Sequence, residues 1–360
     1  MTERGGRLPV VGVILAGGSG TRLWPVARPE RPKQFVRLLG GGTPFEAAWR
    51  RLGPIAGRRN IVVVAGRPHV PWIRRQAAGI RPDRILVEAI GRNTGASVAI
   101  AALWVRARFG DAVMVVTPAD HFIGPAAAFR TTVARAARAA GRSGGLVTIG
   151  IAPKAPDPGF GYIRAGAGGG LAGVRRVERF VEKPAAARAR RMVRSRRWLW
   201  NSGIFVWRAS AVLGEMERLC PALIRPLARW AADRKAGGWQ VPAAALRAVP
   251  AVPIDRALLE RSGRVLVTRA DFRWSDLGNW SAIADLLEAG GGGGAGRTLA
   301  PGAPGCVGVN PGGLTVFVGT RDLVAVRDGT TVLVCRRDAA HEVRAVAERL
   351  AASRRAGGRA

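Results

Sequence analysis

The chain has 360 residues, 48% of them hydrophobic, enough for one large α/β domain and a smaller partner. No run of about 18 apolar residues occurs, which argues against a membrane span, and the polar start MTERGGRLP leads straight into an apolar run without a secretory pattern. The formal net charge of +33 invites a nucleic-acid reading, but the arginines are scattered through a chain rich in Arg, Ala and Gly.

The densest basic stretch, Ala187 to Arg197, reads as the solvated side of a helix rather than a binding patch. The overall charge should still attract polyanions at long range, and weakly so in salt. Cys220, Cys306 and Cys335 lie far apart with no CxxC, so they read as structural thiols of a reducing cytosol. Only four of the 57 basic residues are lysines: Lys33, Lys154, Lys183 and Lys235. Where nearly every cation is written as Arg, a retained Lys marks a place that wants a compact point charge.

In chain order, Val10 to Ala16 is a short β-branched run bounded by glycines and reads as a buried strand. Gly17, Gly18 and Gly20 then allow a sharp turn with backbone N–H groups facing a ligand, and Arg22 and Lys33 follow as fixed cations. Strand-like runs at 61–65, 84–87, 112–116 and 146–151 alternate with helical segments at 45–52, 70–78, 96–108 and 126–140. That alternation predicts a Rossmann-like α/β fold with a mostly parallel mixed sheet. From 160 the texture changes to a β-ribbon (161–164 and 174–181), the basic helix, a strand at 203–207, a helical region to about 246 and a strand at 264–268. The glycine run 290–294 reads as a linker. Beyond it, 314–318, 322–327 and 331–335 are short strands and 341–350 a closing helix. The predicted domains are 1–289 and a small β domain at 297–360.

Several polar residues follow these strands. The glycine loop with Arg22 and Lys33 suits a polyphosphate, yet it lacks the Lys-Ser/Thr of a P-loop, and Leu23 breaks the dinucleotide fingerprint. Asp120 follows a buried strand, a position that points into the ligand crevice of an open α/β sheet, or else serves a turn or helix cap. Asp276 ends a strand-like approach before a helix start, where capping is the alternative. Magnesium commonly takes one or two carboxylates plus phosphate oxygens, so Asp120 and Asp276 form the candidate metal pair. Their meeting is a prediction of the fold, not of spacing. Glu182-Lys183 reads locally as a surface strand end, and Arg92-Asn93 as ordinary loop polarity.

The string Gly17-Gly18-Ser19-Gly20-Thr21-Arg22-Leu23 with Pro32-Lys33 resembles the signature of sugar-nucleotide pyrophosphorylases. The continuations Leu23-Trp24-Pro25, Pro32-Lys33-Gln34-Phe35, Phe180-Val181-Glu182-Lys183-Pro184 and Trp200-Asn201-Ser202-Gly203 are similar to those of mannose-1-phosphate guanylyltransferases. The resemblance implies that Ala16, Gly17, Gly18, Ser19, Gly20, Thr21 and Arg22 bind nucleotide, with Glu88, Arg92, Asn93 and Thr94 beside the base or ribose. It implies sugar-phosphate contacts at Gly161, Tyr162, Glu182, Lys183 and Asn201, catalytic cations at Arg22, Lys33 and Lys183, and Mg²⁺ on Asp120 and Asp276. Gly95-Ala96 departs from the family's Ala-Pro, a change expected to add flexibility, and Phe160 replaces a Tyr. The substrates so implied are GTP and mannose 1-phosphate, in a cytoplasmic, monofunctional bacterial-type enzyme, with a homodimer resting on the resemblance alone. The alternatives are another NDP-hexose pyrophosphorylase, using glucose 1-phosphate or a different NTP, and a non-catalytic homologue.

Overall fold

The computed structural model describes residues 8–18, 20–39, 41–234, 238–291 and 296–355. Ser19, Lys235, the polar lead-in 1–7 and most of the glycine run 290–294 lie outside the described residues. The chain forms two compact units interleaved along the sequence: Met1–Gly17, Trp49–Pro118 and Ile123–Trp274 in the first, Gly18–Ala48, Ala119–Phe122 and Ser275–Ala360 in the second.

The first unit is built on a ten-stranded sheet. Its strands are β1 (Val10–Leu15), β2 (Ile61–Gly66), β3 (Ile85–Glu88), β4 (Val113–Pro118), β5 (Leu146–Ile151), β6 (Tyr162–Gly168), β7 (Val174–Val181), β8 (Trp198–Arg208), β9 (Gln240–Val241) and β10 (Val265–Arg269). They run in the order β9-β3-β2-β1-β4-β8-β5-β10-β7-β6. The pairings from β9 to β4 are parallel, β8 is antiparallel to both neighbours, and β5 pairs β10 in parallel. The central strands are buried on both faces, which is why β1, β2 and β4 read as continuous apolar runs rather than alternating ones. The expected β-ribbon is the antiparallel pair β6–β7, which joins the same sheet through β10. Asn93–Phe109 is a helix buried nearly all round, with Val98, Ile100, Trp104 and Val105 in the main core.

In the second unit the passage after Gly18 is held by two single-turn 3₁₀ segments, Thr21–Leu23 and Lys33–Phe35. The later strands are β11 (Arg297–Leu299), β12 (Val307–Val309), β13 (Leu314–Val316), β14 (Leu323–Asp328) and β15 (Thr331–Arg336). β11 pairs β13 and β12 pairs β14 in parallel, while β15 returns antiparallel to β14. One core joins Leu23, Val26, Leu38, Trp280, Val324 and Val343, so the early and late parts of the chain fold together here. Trp280 also donates its indole N–H to the Trp24 carbonyl at 2.8 Å. The closing helix runs Val343–Arg355, shifted from the predicted 341–350. No helix among the described residues is long and apolar enough to cross a membrane.

Candidate functional site

Two groups of polar side chains stand out, one in each unit. In the second unit a cavity of about 280 Å³ is lined by Gly20, Thr21, Arg22, Lys33, Asp120 and Asp276, together with Gly278 and Arg344. Gly20 sits at φ +65°, and a Cβ there would stand 2.7 Å from Cβ of Lys33, so the turn closes on the lysine only with glycine at this position. Lys33 is the hub. Its Nζ lies 2.8 Å from Oδ2 of Asp120 and donates to the Asp276 carbonyl at 2.9 Å. Desolvation alone would raise the Asp120 pKa, but the Lys33 charge, His121 and the Lys33 hydrogen bond outweigh it and hold the carboxyl below its ordinary value.

Asp276 reaches the cavity from a tight turn. Its Oδ1 accepts the Gly278 N–H at 3.0 Å, an Asx-type contact that shapes the loop. The helix Trp280–Leu286 that follows is capped by Asn279, whose side chain accepts the Ala282 N–H, so Asp276 is not its cap. The two acids therefore share one cavity, with Lys33 between them and Arg22 beside them. Two carboxylates with open cavity around them fit the hard-oxygen donor set that magnesium prefers, the rest of its shell coming from phosphate oxygens and water. Among the described residues no cluster of three or more His, Cys, Asp or Glu offers a fuller cage.

In the first unit β7 delivers Glu182 and Lys183, and β8 delivers Asn201. The β5–β8 register shifts between the Thr148–Phe205 and Gly150–Asn201 pairs, an irregularity in β8 just after Asn201 that re-aims this part of the strand. The predicted strand 203–207 thus extends to Trp198–Arg208 and takes in the whole Trp200–Gly203 motif. Asn201 is tightly held: Oδ1 accepts the Thr148 hydroxyl at 3.0 Å, and Nδ2 donates to Asp255 Oδ1 at 2.7 Å. Glu182 is nearly buried, and a Cβ on Gly161 would stand 2.6 Å from its Oε2. Lys183, with φ +48°, is mostly exposed and lies 3.3 Å from Oε1 of Glu182. The Glu182 N–H is taken by Glu260 at 2.7 Å.

Asp255 and Glu260 were not singled out from the sequence as site residues. Burial, and then the nearby Glu182 charge, push the Asp255 carboxyl up to about 7 despite its hydrogen bond from Asn201. Their only local signal is an apolar run carrying two acids, Val252-Pro253-Ile254-Asp255-Arg256-Ala257-Leu258-Leu259-Glu260. The Tyr162 ring is fully buried and its hydroxyl exchanges hydrogen bonds with the Asp157 backbone, so the side chain anchors the preceding loop. Phe160 packs its ring on Trp200 and Trp274, an aromatic contact where the family's Tyr would place a hydroxyl.

The remaining predicted nucleotide residues of the first unit follow β1 and β3. The Ala16 carbonyl accepts from His69 Nδ1 at 2.7 Å, which fixes the proton on that nitrogen. Gly17 has open space where a side chain would stand. In the second unit Gly18, at φ +91°, is equally open. Glu88 is buried and takes the Ser97 hydroxyl; burial raises its pKa to about 7, with the Ser97 bond working against the shift. Arg92 donates to the Leu246 and Arg247 carbonyls, Asn93 accepts the Thr94 N–H, and the Thr94 hydroxyl accepts the Ile254 N–H. The Arg92 and Thr94 side chains thus brace the segment at 246–254, while Asn93 bonds only its own helix start. Gly95 is not a flexible joint: a Cβ there would meet the Val252 carbonyl oxygen at 2.6 Å, so the residue serves close packing inside the helix.

Comparison with known proteins places this geometry. Residues 11–289 match the nucleotidyl transferase family, and residues 304–350 match a MannoseP isomerase/GMP-like beta-helix domain. The chain is 38% identical over 355 residues to the xanthan biosynthesis protein XanB of Xanthomonas campestris pv. campestris (strain B100), covering 95% of this chain and 73% of the relative. It is 34% identical over 354 residues to a mannose-1-phosphate guanylyltransferase of Escherichia coli (strain K12), covering 95% and 74%. A crystal structure described as a mannose-1-phosphate geranyltransferase from Thermus thermophilus superposes with a TM-score of 0.86 at 32% identity, over 96% of this chain and 100% of that one.

Proposed function

The chain belongs to the nucleotidyl transferase family, in its mannose-1-phosphate guanylyltransferase branch, and from that premise we propose that it transfers GMP from GTP to α-D-mannose 1-phosphate, releasing pyrophosphate and forming GDP-mannose. The observation that carries the reading is the cavity in which Lys33 links the Asp120 carboxylate to the Asp276 loop beside the Gly20–Arg22 turn. A phosphate oxygen of the sugar phosphate forms a bond to the α-phosphorus. The bond to the β-phosphate oxygen breaks, and pyrophosphate departs with the electron pair. The attacking oxygen is already anionic, so no general base is required, and catalysis rests on positioning and charge neutralisation.

In this reading Arg22 and the glycine turn hold the β- and γ-phosphates, and Lys33 serves the transferring phosphoryl. Asp120 and Asp276 would hold Mg²⁺, which when bound offsets phosphate charge. Glu182 and Asn201 accept or donate to sugar hydroxyls, with Asp255 and Thr148 fixing the Asn201 amide. Lys183, exposed and charged, takes the sugar's phosphate. The partners are small molecules, in the cytoplasm, and the three free thiols accord with a reducing compartment. A panel of four nucleoside triphosphates against mannose, glucose and galactose 1-phosphates, followed by pyrophosphate release, tests the choice. GTP with mannose 1-phosphate is expected to exceed every other pair, and a preference for another pair would replace this reading with the corresponding NDP-hexose pyrophosphorylase.

A further inference from the structure

Arg344 lines the same cavity as Arg22, Lys33 and the two acids, although it lies in the last helix of the described chain, more than three hundred residues from the glycine turn. Its neighbour Val343 is buried in the core that contains Leu23, the last residue of the Thr21–Leu23 turn. The backbone that presents Arg344 is therefore fixed against the turn that presents Arg22. Nε of Arg344 donates to Oε1 of Glu348 at 2.7 Å, one helical turn on. Both side chains are more than half exposed, so this pair is weak and readily exchanged. Through Nε the contact orients the guanidinium while leaving both Nη groups, the fork that matches phosphate oxygens, for a ligand.

Charge balance points the same way. Lys33 is already matched by Asp120, so of the cavity's described cations Arg22 and Arg344 are the two whose charge is not spent on the acids that line it. We propose that Arg344 binds the departing pyrophosphate, so that the C-terminal helix supplies a substrate-binding residue to the phosphate cavity. The assignment of the leaving group rests on the guanylyl-transfer reading above; the phosphate chemistry of the residue does not.

The test titrates inorganic pyrophosphate with Mg²⁺ into the full chain by calorimetry, for the wild type, Arg344→Ala and Arg344→Lys, and measures KM values in pyrophosphorolysis of GDP-mannose. Arg344→Ala is expected to weaken pyrophosphate binding about 10–100-fold, the size of a lost charge-assisted contact, and to raise KM for pyrophosphate while KM for GDP-mannose stays within about twofold. Arg344→Lys should recover part of the loss, which a merely structural role would not show. If the Ala variant fails to fold, Arg344→Gln against Arg344→Lys makes the same comparison. Unchanged pyrophosphate affinity in the variants, or no pyrophosphate binding by the wild type, overturns the proposal. Arg344-dependent pyrophosphate binding in a chain that forms no GDP-mannose would instead uphold the phosphate ligand and defeat the guanylyl-transfer reading.

Discussion

Asp120 in the second unit and Asp255 in the first are both partly desolvated, yet their pKa values shift in opposite directions. Asp120 has Lys33 at 2.8 Å, and its carboxyl is held below its ordinary pKa. Asp255 has Glu182 for a neighbour and an amide for a partner, and its carboxyl rises to about 7. Desolvation pushes both upward; at Asp120 Lys33 and His121 overturn it, whereas at Asp255 Glu182 adds to it and the Asn201 bond and Lys183 charge only oppose it. The difference sorts the two groups by chemistry. A carboxylate favoured in its charged form beside cations suits metal and phosphate, whereas Asp255, crowded by a second acid, suits a site of groups that both donate and accept.

The largest effect should come from removing the Asp120 charge. Asp120→Asn keeps shape and hydrogen-bonding capacity but leaves Lys33 without its counter-charge, and turnover is expected to fall ~10²–10³-fold, the usual cost of one preorganised charge contact. Asp276→Asn should fall comparably. Pyrophosphate release measured with saturating substrates gives the answer, with circular dichroism confirming the fold. Near-wild-type turnover in either variant would remove the metal assignment.

The second effect concerns stability rather than rate. A carboxyl whose pKa rises on folding binds its proton more tightly in the native state, so its contribution is fully present below the unfolded value. It is lost as pH climbs through the folded value. For Asp255 that window runs from 3.8 to about 7, and for Glu88 from 4.5 to about 7. Acids with lowered pKa, Asp120 and Asp111 among them, act with the opposite sign, so the bulk profile mixes both. The difference between wild type and Asp255→Asn isolates one group. Urea unfolding between pH 4.5 and 8 should show wild-type stability declining relative to the variant as pH rises. A pH-independent difference would mean that Asp255 ionises normally, and the contrast with Asp120 would disappear.

The sheet was legible because its central strands are buried on both faces and written as unbroken β-branched runs, as in Val113 to Val116. The motif residues were legible through family wording, which located Asp276 where local sequence allowed an equally good helix cap. What escaped was long-range packing. Nothing near Arg344 distinguishes it from other helix arginines, because its meaning comes from Val343 joining the Leu23 core. Asp255 carries no local signal as a partner of Asn201 or a neighbour of Glu182, because Asn201 reaches it from β8, far back along the chain. Gly95 was misjudged as flexible for the same reason: the Val252 carbonyl that excludes a side chain there lies far along the chain.

The smallest predicted effect separates burial from charge as the anchor of Lys33. Asp328, at the end of β14, accepts from both Arg28 and Arg31 on one carboxylate oxygen, at 2.9 and 2.6 Å, and these arginines flank the passage that ends at Lys33. If the ion pairs fixed that passage, Asp328→Asn would disturb the cavity. The stretch from Leu23 to Leu38, however, buries Leu23, Val26, Phe35 and Leu38 on both sides of Lys33, and an apolar side chain fully removed from water is worth about 1.5–3 kcal/mol. Each arginine is over a third exposed, which holds such a pair to about 0–1 kcal/mol before screening. Asp328→Asn should therefore cost roughly 1 kcal/mol or less in urea unfolding, with the loss shrinking in 1 M salt, and turnover should change by no more than about threefold. A tenfold loss of turnover without a matching loss of stability would show that charge, not burial, sets the position of Lys33.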